Sequence, residues 1–112
     1  MLKTTKLENG IDLVQFIDLE KFNALVAEDI KDDLVKFFDA PNSKVVIDLT
    51  GVKYIDSSGF GSFLAAMKAS RNNYGILKLY VPEKDVKNLF ITLQLHTVFE
   101  IFDNLEICLA SF

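Results

Sequence analysis

The sequence predicts an α/β fold: one domain over residues 1–112, with a central mixed β-sheet of about four to five strands packed against about four to five α-helices. Two observations predict it. Lys44-Val45-Val46-Ile47-Asp48-Leu49 is a nearly continuous β-branched run, of the kind that fills a central strand buried on both faces. Around it, strand-like runs alternate with segments whose apolar residues recur at helical spacing.

The elements follow in order. Ile11–Ile17 reads as a strand, and Asn9-Gly10 before it is a hairpin-turn signal that pairs it with an edge strand over Leu2–Glu8. Asn23 is placed to cap a helix whose stripe is Val26, Ile30, Leu34, Phe37 and Phe38, closed by Pro41-Asn42-Ser43. The charged run from Glu28 to Asp33 is its solvated face. After the central strand, Phe60, Phe63, Leu64 and Met67 mark a second helix, beginning around Ser58 and ending near Asn72–Gly75. Ile76–Val81 is the next strand. Val86, Leu89, Phe90 and Leu93 form a third helical stripe with Pro82 in its first turn, and Val98–Phe102 a short strand. Asp103-x-x-Glu106 resembles a capping box for a last helix carrying Leu105, Cys108, Leu109 and Phe112 on one face.

Composition narrows the function classes. Half of the 112 residues are hydrophobic and ten are Phe, which excludes a disordered chain and supports a packed core. The net charge is −4, and Arg71 is the lone arginine, which argues against nucleic acid and against anionic membrane surfaces as partners. No apolar run approaches the roughly 18–20 residues of a membrane span, and Met1–Lys6 leads into no hydrophobic signal segment. Cys108, the lone cysteine, has no disulfide partner and cannot build a zinc site with the lone His96, so a reducing cytoplasm is the expected compartment. No cofactor is implied.

The segment from Asp48 to Gly61 carries the chemistry. A buried strand ends at Leu49, a short loop follows, and a helix opens with Asp56-Ser57-Ser58-Gly59-Phe60-Gly61. Glycines in a first helical turn each cost on the order of 1 kcal/mol relative to Ala, but they leave backbone N–H groups uncovered and let another surface approach. The Ser57 hydroxyl lies where the first N–H groups of the helix point outward and its dipole is positive. A phosphate there is favoured by about 0.3–1 kcal/mol. The same phosphate adds roughly two negative charges to any surface docked on it. Ser57 or Ser58 can alternatively serve simply as an N-cap, and Asp56 reads as a capping or turn residue.

Asp56–Gly61, arriving just after Val45–Leu49, resembles the signature of the STAS domain and, within it, of the bacterial anti-sigma factor antagonists. The resemblance runs over nearly the whole chain, through Val81-Pro82-Glu83 at the opening of the third helix. It implies a non-enzymatic module phosphorylated on Ser57 by an anti-sigma factor that is also a serine kinase, and restored by a PP2C-type phosphatase. It further implies that the unmodified form binds the anti-sigma factor and frees the sigma factor, so regulating transcription. By position, the partner-binding residues are Asp56, Ser57, Ser58, Gly59, Phe60, Gly61 and Asn23, with the free protein a monomer or weak dimer. This sequence departs from the family pattern at three places. Phe60 replaces a usual Leu, Asn23 a frequent Asp, and Gln94 the Gly that usually follows the third helix.

A STAS scaffold or accessory subunit, stressosome-like or lipid-transport-like, is the alternative: it shares the same helix start with a different partner, and the helix start does not separate the two. Two further readings fit less well. A serine hydrolase built on Ser57 or Ser58 with His96 lacks the Gly-x-Ser-x-Gly elbow, and His96 is expected to pack among Leu95, Val98 and Phe99. A phosphoacceptor receiver built on Asp48 lacks a convincing acidic pair, since Asp18 and Glu20 imitate it poorly. Asp48 is better read as organising its loop.

Overall fold

The computed structural model describes all residues from Met1 to Phe112. Strands β1 (Leu2–Lys6) and β2 (Ile11–Phe16) form the expected hairpin, in register from Leu2 opposite Phe16 to Lys6 opposite Asp12. Gly10 closes its turn at φ +84°, a left-handed conformation that glycine adopts without strain. Three further strands, β4 (Lys44–Asp48), β6 (Ile76–Tyr80) and β7 (Glu100–Phe102), run parallel to β2. The order β1-β2-β4-β6-β7 makes a mixed five-stranded sheet with β4 at its centre. Four helices surround it: α1 (Ala24–Lys36), α2 (Ser57–Asn72), α3 (Lys84–Thr92) and α4 (Leu105–Ala110).

Alternation along the strands decides which helix covers which face. Val14, Val45, Ile47, Leu77 and Leu79 point into one core with Ile30 and Leu34 of α1, Phe63 and Ala66 of α2, and Val86 and Phe90 of α3. Ile11 and Val46 point the other way, where Cys108 of α4 meets them. The centre of the large core is aromatic: Phe22–Phe63, Phe60–Phe90 and Phe90–Phe99 pack edge-on with ring centroids 5.1, 5.0 and 6.0 Å apart, an arrangement that suits the ring quadrupole.

Two short strands, β3 (Lys21–Phe22) and β5 (Tyr54–Ile55), pair in parallel apart from the main sheet. The sequence gives no sign of them, because two residues hold no period.

Several expectations need correction. Pro82 lies ahead of α3, outside its first turn; Glu83 is the cap residue and caps with no side-chain bond, its carboxylate being bonded to Lys53 at 2.6 Å. Leu93 falls past the end of α3 and is half exposed. The α4 cap is Asn104, whose Oδ1 accepts the Ile107 N–H at 3.0 Å, while Asp103 reaches Lys87 instead. The last strand shortens to Glu100–Phe102 because Leu95–Thr97 form a 3₁₀ turn. His96 sits exposed on that turn rather than packed.

Candidate functional site

The start of α2 is built from both sides of the chain. Asp48, at the end of β4 and nearly fully buried, accepts the Thr50 N–H at 2.9 Å and the Thr50 hydroxyl at 2.6 Å on one oxygen, and the Gln15 amide at 3.0 Å on the other. These bonds turn the chain through Gly51, at φ +87°, and away from the sheet. The backbone N–H groups of Lys53 and Tyr54 donate to the Glu20 carbonyl, and that of Asp56 to the Phe22 carbonyl at 3.1 Å. The small β3–β5 ladder therefore anchors the loop against the segment that leads into α1.

Asp56 caps the helix that follows. Its backbone is extended and its Oδ1 accepts the Gly59 N–H at 3.0 Å. The capping role open to either serine thus belongs to the carboxylate, and α2 begins one residue earlier than the apolar stripe indicates. Ser57 becomes the first helical residue. It is exposed, and its hydroxyl makes no hydrogen bond within the chain.

The remaining residues divide by face. Ser58 is half buried and Gly61 exposed, with open space where a Cβ would stand. Gly59 and Phe60 turn inward, beneath the surface that Ser57, Ser58 and Gly61 present. A Cβ on Gly59 would lie 2.7 Å from both the Phe22 carbonyl oxygen and Ile55 Cγ2, and Phe60 is 5% exposed against Phe90. The helical period produces this split, since positions 59, 60 and 63 share one face.

Asn23 caps α1, its Oδ1 accepting the Leu25 N–H at 3.1 Å. The two helix starts adjoin: Ala24, Ala27, Glu28 and Lys31 of α1 and Ser58, Gly61 and Ser62 of α2 line one shallow groove of about 310 Å³. Ser62 fixes the helices together, its buried hydroxyl donating to the Ala27 carbonyl at 2.8 Å across the helix pair. This interhelical bond was invisible to periodicity, which shows that Ser62 is one turn beyond Ser58 and nothing about α1. On the groove rim Lys31 bonds Glu28 at 2.8 Å, and that hydrogen bond raises the lysine above its ordinary range. Lys53 is raised likewise by its bond to Glu83.

Nothing near Ser57 assembles a metal site, since no three His, Cys, Asp or Glu side chains converge anywhere in the molecule. No helix is long and apolar enough to cross a membrane. The fold and this helix tip define a small mixed-sheet α/β domain that presents a serine beside a groove between two helix starts. The family model of the STAS domain matches residues 13–107, and the chain belongs to that family. Solved structures share its fold at low identity. A STAS domain protein of Planctomyces limnophilus, described as an anti-sigma-factor antagonist, superposes with a TM-score of 0.85 at 18% identity, over 97% of this chain and 96% of that one. An anti-sigma factor antagonist from Mycobacterium paratuberculosis gives 0.76 at 16%, over 99% and 92%. The antagonist SpoIIAA in its unphosphorylated form gives 0.70 at 13%, over 99% and 96%.

Proposed function

We propose that this STAS domain is an anti-sigma factor antagonist, a non-catalytic binding module switched by phosphorylation of Ser57. In this reading the unmodified form docks its α1 and α2 starts on an anti-sigma factor that is also a serine kinase, and the sigma factor is released to act in transcription. Phosphorylation ends the contact and a PP2C-type phosphatase restores it, all within the cytoplasm. Asn23, Asp56, Ser57, Ser58 and Gly61 form or shape the contact; Gly59 and Phe60 hold it from beneath.

The observation that carries this reading is the division of labour at the α2 start. Asp56 satisfies the Gly59 N–H, which leaves the neighbouring hydroxyl of Ser57 exposed and uncommitted. A kinase can reach that hydroxyl without breaking a bond the fold uses. The phosphate meets the free N–H groups of the first turn, which favour it, and the Asp56 carboxylate, which opposes it, so the domain itself changes little in stability. A partner seated on the groove must instead desolvate a dianion.

The test is phosphorylation with the cognate anti-sigma kinase and ATP, with the modified residue mapped by mass spectrometry, and a pull-down of that kinase by wild type, Ser57→Ala and Ser57→Asp. Modification confined to Ser57, with the kinase retained by Ser57→Ala and lost by Ser57→Asp, is expected. Normal phosphorylation of Ser57→Ala, or equal retention by both variants, overturns the reading.

A further inference from the structure

The two edges of the main sheet are unlike. At β7 the edge is three residues long, whereas β1 runs for five and all but Leu2 are exposed. The hydrogen-bond phase of β1 is fixed at both ends, because Ile17 N–H donates to Met1 O at 2.7 Å and Leu7 N–H to Ile11 O at 2.8 Å. In an antiparallel ladder bonded and non-bonded pairs alternate. Lys3 and Thr5 therefore bond to β2, and the N–H and C=O groups of Leu2, Thr4 and Lys6 point out from the free edge. Beside that edge Leu2 and Thr4, with Asp33, Lys36 and Phe37 at the end of α1, line a groove of about 360 Å³.

We infer that this edge is a self-association surface, on which a second copy of the chain pairs its own β1 antiparallel about a two-fold axis at Thr4. In that register Thr4 exchanges both backbone bonds with the partner's Thr4, and Leu2 with the partner's Lys6. Every outward group of the strand is satisfied, and Lys3 falls opposite Thr5, so no two lysines face one another. Registers displaced by two residues one way, or four the other, set Lys3 on Lys3 or Lys6 on Lys6, and like charges directly opposite are destabilising. Of the two remaining registers, the one centred on Thr5 leaves Leu2 without a strand partner, and the one centred on Leu2 leaves Thr4 and Lys6 unpaired.

The charges beyond the backbone are also complementary. Lys6 arrives bonded to Asp12 at 2.8 Å, and the groove it approaches offers Asp33 and Lys36, neither of which has an ion-pair partner within the chain. Each side brings one anion and one cation. Leu2 and Phe37 supply the apolar floor. The contact is one short strand and a shallow groove, below the ~1,200 Å² of standard interfaces, so the dimer is weak and concentration-dependent. It lies on the opposite end of α1 from Asn23, and its failure or success leaves the reading of Ser57 untouched.

Sedimentation equilibrium up to about 1 mM protein tests it, with three variants. Thr4→Pro removes the outward N–H at the two-fold while sparing the bonds to β2, and proline is tolerated at such edge positions; its dimer constant should weaken at least tenfold with the circular dichroism unchanged. Thr4→Cys should oxidise to a disulfide-linked dimer, because bonded pairs lie ~5.5 Å apart between Cα atoms, within disulfide reach. Thr5→Cys should not, since the two copies of that residue lie diagonally at roughly 7–8 Å or more. A monomer at every concentration, dimerisation of Thr4→Pro as strong as wild type, or cross-linking through Thr5→Cys in preference to Thr4→Cys overturns the inference.

Discussion

The carbonyl oxygen of Phe22 lies 2.7 Å from the point where a Cβ on Gly59 would stand, and it cannot retreat, because it accepts the Asp56 N–H at 3.1 Å. Gly59 is thus required by the close passage of β3 beneath the α2 start. Gly61, two residues on, meets nothing within 4 Å. The same substitution should therefore act in opposite directions at the two positions. Gly59→Ala forces the β3–β5 support away and should destabilise by about 1–3 kcal/mol. Gly61→Ala should stabilise by up to ~1 kcal/mol through helix propensity, while placing a methyl group in the proposed docking groove. Urea unfolding of both variants checks the pair, and equal destabilisation would show that Gly61 also serves the fold.

The contrast between those glycines marks what was legible in the sequence. Both stand in one motif, and nothing in Asp56–Gly61 separates the one beneath from the one outside until the β3–β5 ladder is known. Main-sheet strands and helix stripes were legible because burial on a period leaves a pattern several residues long, as in Val45–Leu49 or Ile30–Leu34. Caps were less so: Asp103 and Asn104 are both good capping residues, and only the backbone path selects Asn104. Lys78 was the least visible. In the sequence it interrupts an apolar strand; in the fold it is buried beneath the last helix.

Capping and switching are separable at the α2 start. Asp56→Ala should cost about 1 kcal/mol, the usual loss on removing an N-cap, and Asp56→Asn should restore most of it, because an amide oxygen can accept the same Gly59 N–H. Ser57→Ala, at an exposed position with no bond, should change stability by less than ~0.5 kcal/mol. A large loss in Ser57→Ala by thermal or chemical unfolding would mean that the serine supports the fold after all.

For the proposed switch, Ser57→Asp should alter unfolding free energy by less than about 1 kcal/mol yet weaken anti-sigma factor binding about a hundredfold, the equivalent of ~2.8 kcal/mol. Calorimetric titration beside urea unfolding measures both. A variant that loses binding only in proportion to lost stability would place the effect in the fold rather than the interface.

Gln94 stands at φ +58°, closing α3 in the left-handed conformation that a glycine adopts freely. Its N–H reaches the Ile91 carbonyl at 2.9 Å, so the turn closes as a glycine would close it, with strain in place of freedom. A non-glycine residue in this region costs roughly 1–2 kcal/mol, of which glycine returns part as lost chain entropy. Gln94→Gly should accordingly stabilise by about 0.5–1 kcal/mol, read as a higher midpoint in urea with an unchanged slope.

Lys78 and Cys108 together decide how firmly α4 is held. The Lys78 ammonium donates to the Ser111 carbonyl at 2.9 Å and its hydroxyl at 2.7 Å, pairs with Glu100 at 2.9 Å, and lies 4.7 Å from the Phe112 ring centroid. Beneath α4, burial pushes the Cys108 thiol from its ordinary 9.0 to about 11, against the opposing pull of the Lys78 charge. Since the folded state holds that proton more tightly than the unfolded one, this thiol's contribution to stability is full below pH 9 and falls as the pH rises from about 9 to 11. Thiol labelling should be slow at pH 8 for the same reason. Lys78→Met keeps the volume but removes bonds worth about 1.5–3 kcal/mol each when charged, so α4 should open more often and labelling accelerate at least tenfold. The direction of the pH midpoint then discriminates. If α4 opens, the midpoint moves down toward the ordinary thiol value. If α4 stays docked, loss of the nearby positive charge moves it up, and the lysine is not what holds the helix.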